Sequence, residues 1–208
     1  DLDTIASLLT DFRQVTVECH PRLVGESCWR FAEQLTGELE VAMGLETVHP
    51  QALPRLNKQM TLEDFESAAM MSAERGIGIR AFVLLSPPFV PADRSVDWTV
   101  RSAAYAAEVG AGVVSIIPMR ADSGAMRQMA DEGGFESPTL EMLERALARS
   151  LGIADTVILA DLWDVERMSG CEHCRDTRIA SLRVMNRTGV AAPVFACEHC
   201  SGMDQGGD

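Results

Sequence analysis

The feature of this sequence that most limits its fold is a series of short apolar runs that recur along the chain. The runs are VTVECH (15–20), LEVAMGL (39–45), RAFVLL (80–85), VVSIIPM (113–119) and TVILADLW (156–163). Each run is too short and too rich in β-branched residues for a helix, and each is apolar on both faces. Runs of this kind are typical of parallel strands in a sheet that helices cover on both sides.

Helix-like segments alternate with these runs. Residues 61–76, 95–110 and 138–152 each end in glycine, and the first of them opens with a Thr-x-x-Asp start. Strands that alternate with helices in this way form βα units with right-handed crossovers. We therefore predict an α/β fold of parallel strands, either an open sheet or part of a barrel. Residues 123–138 are predicted to form a flexible loop.

The composition excludes several classes of protein. With 208 residues, of which 47% are hydrophobic and 24% charged, the chain can bury a sizeable core. No stretch approaches the ~20 apolar residues of a membrane span, and no signal peptide is visible. We therefore expect a cytoplasmic protein with no membrane partner. The net charge of −13 repels nucleic-acid phosphate over most of the surface.

One basic segment departs from this acidic background. This segment lies between the cysteine pairs and contains Arg175, Arg178, Arg183 and Arg187. Such a segment indicates either a solvated helix face or a contact with RNA.

The strongest chemical signal is a pair of identical CEHC tetrads that frame this basic segment. Their cysteines are Cys171, Cys174, Cys197 and Cys200, and 22 residues separate the two tetrads. Two Cys-x-x-Cys pairs at close to this spacing form a closed tetrahedral zinc site. We predict zinc rather than iron because nothing nearby indicates redox chemistry, and a cytoplasmic location disfavours disulfides within each tetrad. His173 and His199 are either alternative ligands or residues outside the coordination sphere.

Polar residues also stand where the apolar runs end. Ligands of such α/β folds bind at the carboxyl ends of the strands. Glu18 and Glu46 end two neighbouring runs, and Lys58 follows Glu46 after a turn that contains proline. The two acids could converge on amino or hydroxyl groups of a ligand, with Lys58 on its carboxylate. Alternatively, these acids cap neighbouring helices. His20 is either a catalytic acid or a hydrogen-bonding residue, and no catalytic residue is assigned.

Three segments resemble radical S-adenosylmethionine (SAM) enzymes: VTVECHPR, LEVAMGLETVHPQALPRLNKQMTLEDF and GIGIRAFVLLSPPF. They are similar to the branch that contains oxygen-independent coproporphyrinogen oxidase and the Elongator catalytic subunit. The similarity is particularly to the archaeosine synthase radical SAM subunit and its bacterial relatives. It implies an incomplete (β/α)6 barrel of parallel strands, followed by a small metal module built on the four tetrad cysteines.

The resemblance also implies which residues bind SAM. Glu18 matches the glutamate of the family's Glu-x-x-Pro pattern, which holds the amino group of the methionine moiety. Glu46 matches the residue that contacts the ribose. Lys58 matches the basic residue that meets the methionine carboxylate, although arginine is more usual there. The coproporphyrinogen-type strand carries an aspartate where this chain has Phe82, so one cofactor contact is missing or replaced.

A second departure from the family concerns its 4Fe-4S cluster. The family binds this cluster through a Cys-x-x-x-Cys-x-x-Cys loop, and no such run exists here. We therefore expect this chain to be the carboxyl-terminal part of a radical SAM enzyme that is inactive alone. We also expect a partner subunit. Residues 1–165 would form a partial barrel without the cluster-binding strands, and residues 166–208 the four-cysteine module. The relatives imply a nucleic-acid base as substrate, in tRNA.

Two other functions stay open at this point. The first is a zinc-stabilised module that binds RNA through the arginine-rich segment, or binds protein. The second is an α/β enzyme unrelated to SAM, in which Glu18 and Glu46 serve as general acid and base. A peptide or a small molecule is also open as the substrate.

Overall fold

The computed structural model describes residues 2–121, 124–153 and 155–200. Within these residues five strands form one parallel sheet, in the order β1-β2-β3-β4-β5. The strands are β1 (Gln14–Glu18), β2 (Glu38–Glu46), β3 (Gly78–Leu85), β4 (Val113–Pro118) and β5 (Val157–Ala160). Every apolar run forms a strand, and the predicted α/β fold of parallel strands is confirmed as an open sheet, consistent with a partial barrel.

Helices connect the strands in the described part of the chain. They are α1 (Leu2–Leu8), α2 (Glu26–Gln34), α3 (Ala52–Arg55), α4 (Leu62–Ala73), α5 (Ala92–Glu108), α6 (Gly124–Asp131), α7 (Leu140–Ser150) and α8 (Arg175–Thr188). The three predicted helices correspond to α4, α5 and α7. The loop predicted over residues 123–138 is wrong in part because α6 forms within it, and residue 123 lies outside the described residues. None of the described helices is both long and apolar enough to cross a membrane.

The order of the strands leaves one face of the sheet without crossover helices. Each strand pairs with its neighbour in the chain, so all right-handed crossovers place their helices on the same face. In β3, Ala81 and Val83 point toward the helices and are 0% exposed, whereas the alternate residues Arg80 and Phe82 are half-buried. The prediction of helices on both faces is therefore wrong for the described residues.

A polar network crosses the uncovered face near the amino ends of the strands. Arg80 Nε donates to Glu40 Oε2 at 2.8 Å, and Thr16 Oγ1 donates to the same oxygen at 3.0 Å. Arg80 Nη1 also donates to Ser115 Oγ at 3.2 Å. These bonds join β1, β2, β3 and β4. Because Glu40 is only 3% exposed, Arg80 supplies the cationic partner that a buried carboxylate requires.

The last helix joins the same core as the sheet. Ile179, Leu182 and Met185 of α8 are buried in the hydrophobic cluster that contains the strand residues. α8 packs against α7 and β5. The division at residues 165 and 166 stays a prediction, and residues 201–208 of the predicted four-cysteine module lie outside the described residues.

We expect Arg80→Ala to lower the free energy of unfolding by about 3 kcal/mol, because it leaves the buried carboxylate of Glu40 without its cation. Urea denaturation followed by circular dichroism measures this loss. Arg94→Ala is the matched control, since Arg94 pairs with Asp97 on the surface at 3.9 Å. That variant should change stability by less than about 1 kcal/mol. Equal losses in the two variants would contradict the role given to Arg80.

Candidate functional site

A cavity of about 550 Å³ opens on the uncovered face, toward the carboxyl ends of the strands. Glu18 at the end of β1 and Glu46 at the end of β2 line one side, and Asp161 and Asn186 line the other. The wall between them is mainly apolar and includes Phe82, Leu84, Ile117 and Leu159. Both the volume and this mixture of apolar surface with a few polar groups are typical of small-molecule sites.

The backbone around Glu46 directs its carboxylate toward this cavity. Glu46 has a φ of 66°, in the left-handed region that residues other than glycine rarely adopt. The pairing of β2 with β3 shifts its register between Gly44 and Glu46. A Cβ atom at Gly44 would lie 2.4 Å from Glu46 Oε1, so glycine leaves the space that the carboxylate occupies. Strained positions of this kind concentrate at functional sites.

Lys58 reaches Glu46 from a loop that the segment after β1 supports. Lys58 Nζ lies 3.0 Å from Glu46 Oε1, and half of the lysine side chain is exposed. His20 Nδ1 accepts a hydrogen bond from Arg22 N, so Nε2 carries the proton and donates to Lys58 O at 2.8 Å. Arg22 Nη1 donates to Gln59 O at 3.2 Å. Both ring nitrogens of His20 are occupied, which favours a supporting role over that of a catalytic acid.

The structure therefore brings together the three residues predicted to bind SAM. Glu18 and Glu46 line one cavity, whereas Lys58 lines a neighbouring pocket with His20 and pairs with Glu46 from there. Among the described hydrogen bonds, neither glutamate caps a helix. Their contacts with SAM stay a prediction.

The four cysteines of the CEHC tetrads converge on one point. Their Sγ atoms lie within 4.8 Å of one another, with Cys171 and Cys197 at 4.0 Å and Cys174 and Cys200 at 3.9 Å. Four thiolates about 2.3 Å from a zinc ion lie about 3.8 Å apart in a tetrahedron. Disulfide sulfurs are about 2.05 Å apart, so sulfurs 3.9–4.0 Å apart are not joined by a disulfide. This set of sulfurs could hold one metal ion.

The histidines of the tetrads stand outside this set of sulfurs. The rings of His173 and His199 stack on each other with their centres 3.8 Å apart, and both residues are exposed. The cluster of potential ligands contains the four sulfurs without them. Of the two roles left open for these histidines, the structure favours that of exposed residues beside the site.

Arg178 is the residue of this region whose place the sequence analysis missed. It is 3% exposed, and its Nε donates to Cys174 Sγ at 3.2 Å. Its other nitrogens contact two acids of α7, with Nη1 donating to the fully buried Glu144 and Nη2 lying 3.5 Å from Glu141. Neither a solvated helix face nor an RNA contact describes such a residue. Its position four residues after Cys174 on a predicted helix was the available signal.

Two further arginines of this segment have partners within the chain. Arg175 Nη1 donates to the carbonyl oxygens of Glu166 and Met168 at 2.8 Å each. Arg183 pairs with the Glu166 carboxylate at 2.7 Å on the surface. Arg187 is exposed. The arginine-rich segment thus contributes mainly to the attachment of α8, which weakens the case for an RNA surface.

The residues described do not fit a 4Fe-4S cluster of the radical SAM type. Cys19 and Cys28 are the cysteines outside the tetrads, and both are half-buried. Burial and then the neighbouring Cys28 raise the pKa of Cys19 to about 11, so its thiol stays protonated near neutral pH. Apart from the four tetrad cysteines, no set of three potential ligands converges within the described ranges.

Comparisons with known proteins give a distant relative. No protein-family model matches the chain. It is 22% identical over 120 residues to the uncharacterized protein MJ0550 of Methanocaldococcus jannaschii. This match covers 57% of the chain and 33% of the relative, so the chain spans about a third of that protein's length.

Solved structures show the fold. The archaeal Elp3 of Methanocaldococcus infernus, with its N-terminus deleted, matches with a TM-score of 0.63 at 13% identity, over 84% of this chain and 42% of that one. The chain therefore shares the fold of this part of the archaeal Elp3. The HMG-CoA lyase of Brucella melitensis matches with a TM-score of 0.47 at 14% identity, over 91% of this chain and 59% of that one. Particular similarity to archaeosine synthase stays a prediction.

We expect the purified protein to bind one zinc ion per chain and Cys174→Ser to weaken zinc binding by more than about 100-fold. Loss of even an outer partner of a metal ligand costs about 10- to 100-fold, and this variant loses a ligand. Competition with a chromophoric chelator measures the affinity, and plasma mass spectrometry the metal content. Cys28→Ser is the matched control and should bind zinc normally. Protein without zinc or iron would refute the site.

Proposed function

We propose that this chain is the carboxyl-terminal part of a radical SAM enzyme and that the cavity at its strand ends binds SAM. The observation that carries the proposal is that Glu18 and Glu46 line one cavity while Lys58, from the neighbouring pocket, pairs with Glu46 at 3.0 Å. SAM has an ammonium group, ribose hydroxyls and a carboxylate, and these need acidic and basic partners within one site. The radical SAM-like fold supports the same assignment.

Each of the three residues has a distinct part in this proposal. Glu18 is exposed and accepts hydrogen bonds from the ammonium group of the ligand. Glu46 is 8% exposed and accepts from the ribose hydroxyls. Lys58 pairs with the ligand carboxylate and, before binding, with Glu46 at 3.0 Å. This ion pair limits the freedom of the Glu46 side chain before the ligand binds.

Phe82 takes the place of the aspartate found in related enzymes. It lines the cavity beside Leu84 and offers apolar surface instead of a hydrogen-bond acceptor. A ring system such as adenine can pack on a surface of this kind. SAM, when bound in enzymes of this family, supplies the radical. In this chain the described residues bind and orient SAM, and the cluster ligands would come from elsewhere in the full-length protein or from a partner subunit.

The four cysteines complete the proposal as a structural zinc site. A set of four cysteines closes the tetrahedral coordination sphere and leaves no position for a substrate, which is the pattern of structural rather than catalytic zinc. A four-cysteine metal site requires a compartment that keeps thiols reduced, and we place the protein in the cytoplasm. The metal would therefore stabilise the end of the chain, without taking part in chemistry.

The substrate that we propose is a nucleic-acid base, with tRNA as its carrier. Its support is the resemblance of the three quoted segments to the archaeosine synthase subunit, which itself stays a prediction. The net charge of −13 limits any phosphate contact to a small part of the surface. The second candidate, a SAM-independent enzyme, relies on the same observation that Glu18 and Glu46 share one cavity. Such an enzyme would use them as acid and base.

Anaerobic reconstitution of the full-length protein with iron, sulfide and SAM separates these candidates. With a reductant, the radical SAM proposal predicts formation of 5′-deoxyadenosine, measured by liquid chromatography with mass spectrometry. The SAM-independent candidate predicts neither 5′-deoxyadenosine nor SAM binding. The two results distinguish a cavity that binds SAM from one that does not.

We expect Glu18→Ala and Lys58→Ala to weaken SAM binding by about 10- to 100-fold each, because each removes a charge-assisted contact worth about 1.5–3 kcal/mol. Isothermal titration calorimetry on the reconstituted protein measures the affinities. Glu38→Ala is the matched control because Glu38 is an exposed acid at the opposite end of β2. Unchanged SAM binding in both cavity variants would refute the cofactor assignment.

A further inference from the structure

Asn186 of α8 occupies the place of a further strand beside β5. Its Oδ1 accepts from Ala160 N and its Nδ2 donates to Ala160 O, both at 2.8 Å. Val157 N and Asp161 N bond to β4 through Gly112 O and Ile116 O. Because alternate residues of a parallel strand bond to opposite neighbours, Ala160 faces the outer edge. One side chain thus satisfies both outward backbone groups of a residue in an edge strand.

The same asparagine belongs to the candidate site. Asn186 lines the cavity on the side opposite Glu18 and Glu46, next to Ala160 and Asp161. Because both ends of its amide are bonded to Ala160, the side chain is fixed in one orientation. The shape of this wall therefore depends on where α8 lies.

The position of α8 depends in turn on the four cysteines. Cys171 and Cys174 directly precede α8, and Cys174 is its N-terminal cap residue, without a side-chain capping bond. Arg178, in the next turn, links Cys174 Sγ to Glu144 of α7. The helix begins at the sulfur cluster and reaches Asn186 eight residues after Arg178, a distance of about 12 Å along its axis.

The buried side chains of α8 couple the position of its first turn to that of its last turn. Ile179, Leu182 and Met185 are each at most 4% exposed, and they pack in the core between the cluster and Asn186. Packed side chains on a single helix move together, so a displacement at its first turn also displaces its last turn. No flexible segment separates the cysteines from Asn186, since residues 175–188 are one continuous helix.

We propose that metal binding at the four cysteines positions Asn186 and thereby sets the β5 wall of the cavity. The inference rests on the proposed metal site. With the metal bound, α8 is held against α7, and Asn186 is bonded to Ala160. Without the metal, the first turn of α8 keeps the contacts of Arg175 and Arg178 but loses its link to the second cysteine pair. The bonds to Ala160 then open more often, and the cavity loses that wall. The metal would then control ligand binding from outside the site.

Amide hydrogen exchange of Ala160 tests this coupling directly. Metal content is first measured for each sample. On removal of the metal with a chelator, we expect Ala160 N–H to exchange about 10-fold faster or more, since its hydrogen-bond acceptor is Asn186 Oδ1. The amide of Asp161, which donates to Ile116 O at 2.8 Å, should keep its protection. Equal exchange of Ala160 with and without bound metal would overturn the proposal.

Chelation could unfold the whole chain, in which case the amide of Asp161 would also lose its protection. A measurement of zinc affinity in variants of Asn186 then tests the same coupling without removal of the metal. Coupling between two sites is symmetric, so Asn186→Ala should lower zinc affinity by about 5-fold or more. Asn186→Asp, which keeps the acceptor for Ala160 N but loses the donor to Ala160 O, should have an intermediate effect. Arg187→Ala, at the adjacent exposed position of α8, is the control and should bind zinc normally.

The outcomes separate failure of this inference from failure of the metal site. Wild-type protein that binds no metal refutes the proposed four-cysteine site and this inference with it. Protein that binds one zinc ion, with zinc affinity unchanged in Asn186→Ala, retains the metal site and overturns the coupling. Weaker zinc binding in Asn186→Ala, with normal binding in Arg187→Ala, supports the coupling.

Discussion

Parallel pairing of each strand with its neighbour in the chain is the constraint on which the rest of this structure depends. It places all crossover helices on one face and leaves the other face open. It also brings the carboxyl ends of all strands to one edge, so residues far apart in sequence meet there. Glu18 and Glu46 line one cavity for this reason, and Asp161 lies opposite them. The ion pair between Glu40 and Arg80 then holds the open face together from within.

The candidate site shows how several local features fix one charged pair. Gly44 leaves room for the Glu46 carboxylate, and the left-handed backbone at Glu46 turns that carboxylate toward the cavity. His20 holds the loop that carries Lys58 through its carbonyl oxygen. None of these features binds a ligand directly. Together they reduce the freedom of the acid and the cation before a ligand arrives, and such preorganisation favours binding.

The end of the chain serves two structural purposes at once. Its sulfur cluster can hold a metal ion, and the helix between the two cysteine pairs covers an edge of the sheet. An unprotected edge strand exposes backbone groups that invite pairing with other chains. Asn186 satisfies two of these groups at Ala160, while Arg178 ties the start of the helix to Glu144. Attachment at both ends makes α8 part of the barrel-like core.

The strands, the main helices and the set of four cysteines could be predicted from the sequence, because apolar period, helix-end signals and Cys-x-x-Cys spacing are local properties. The position of Glu18 and Glu46 at strand ends could be predicted in the same way. The open face of the sheet could not, since strand order is set by long-range pairing. The buried role of Arg178 likewise required the fold. Its partners Glu144 and Glu141 lie more than thirty residues away and meet it only because α7 and α8 pack together.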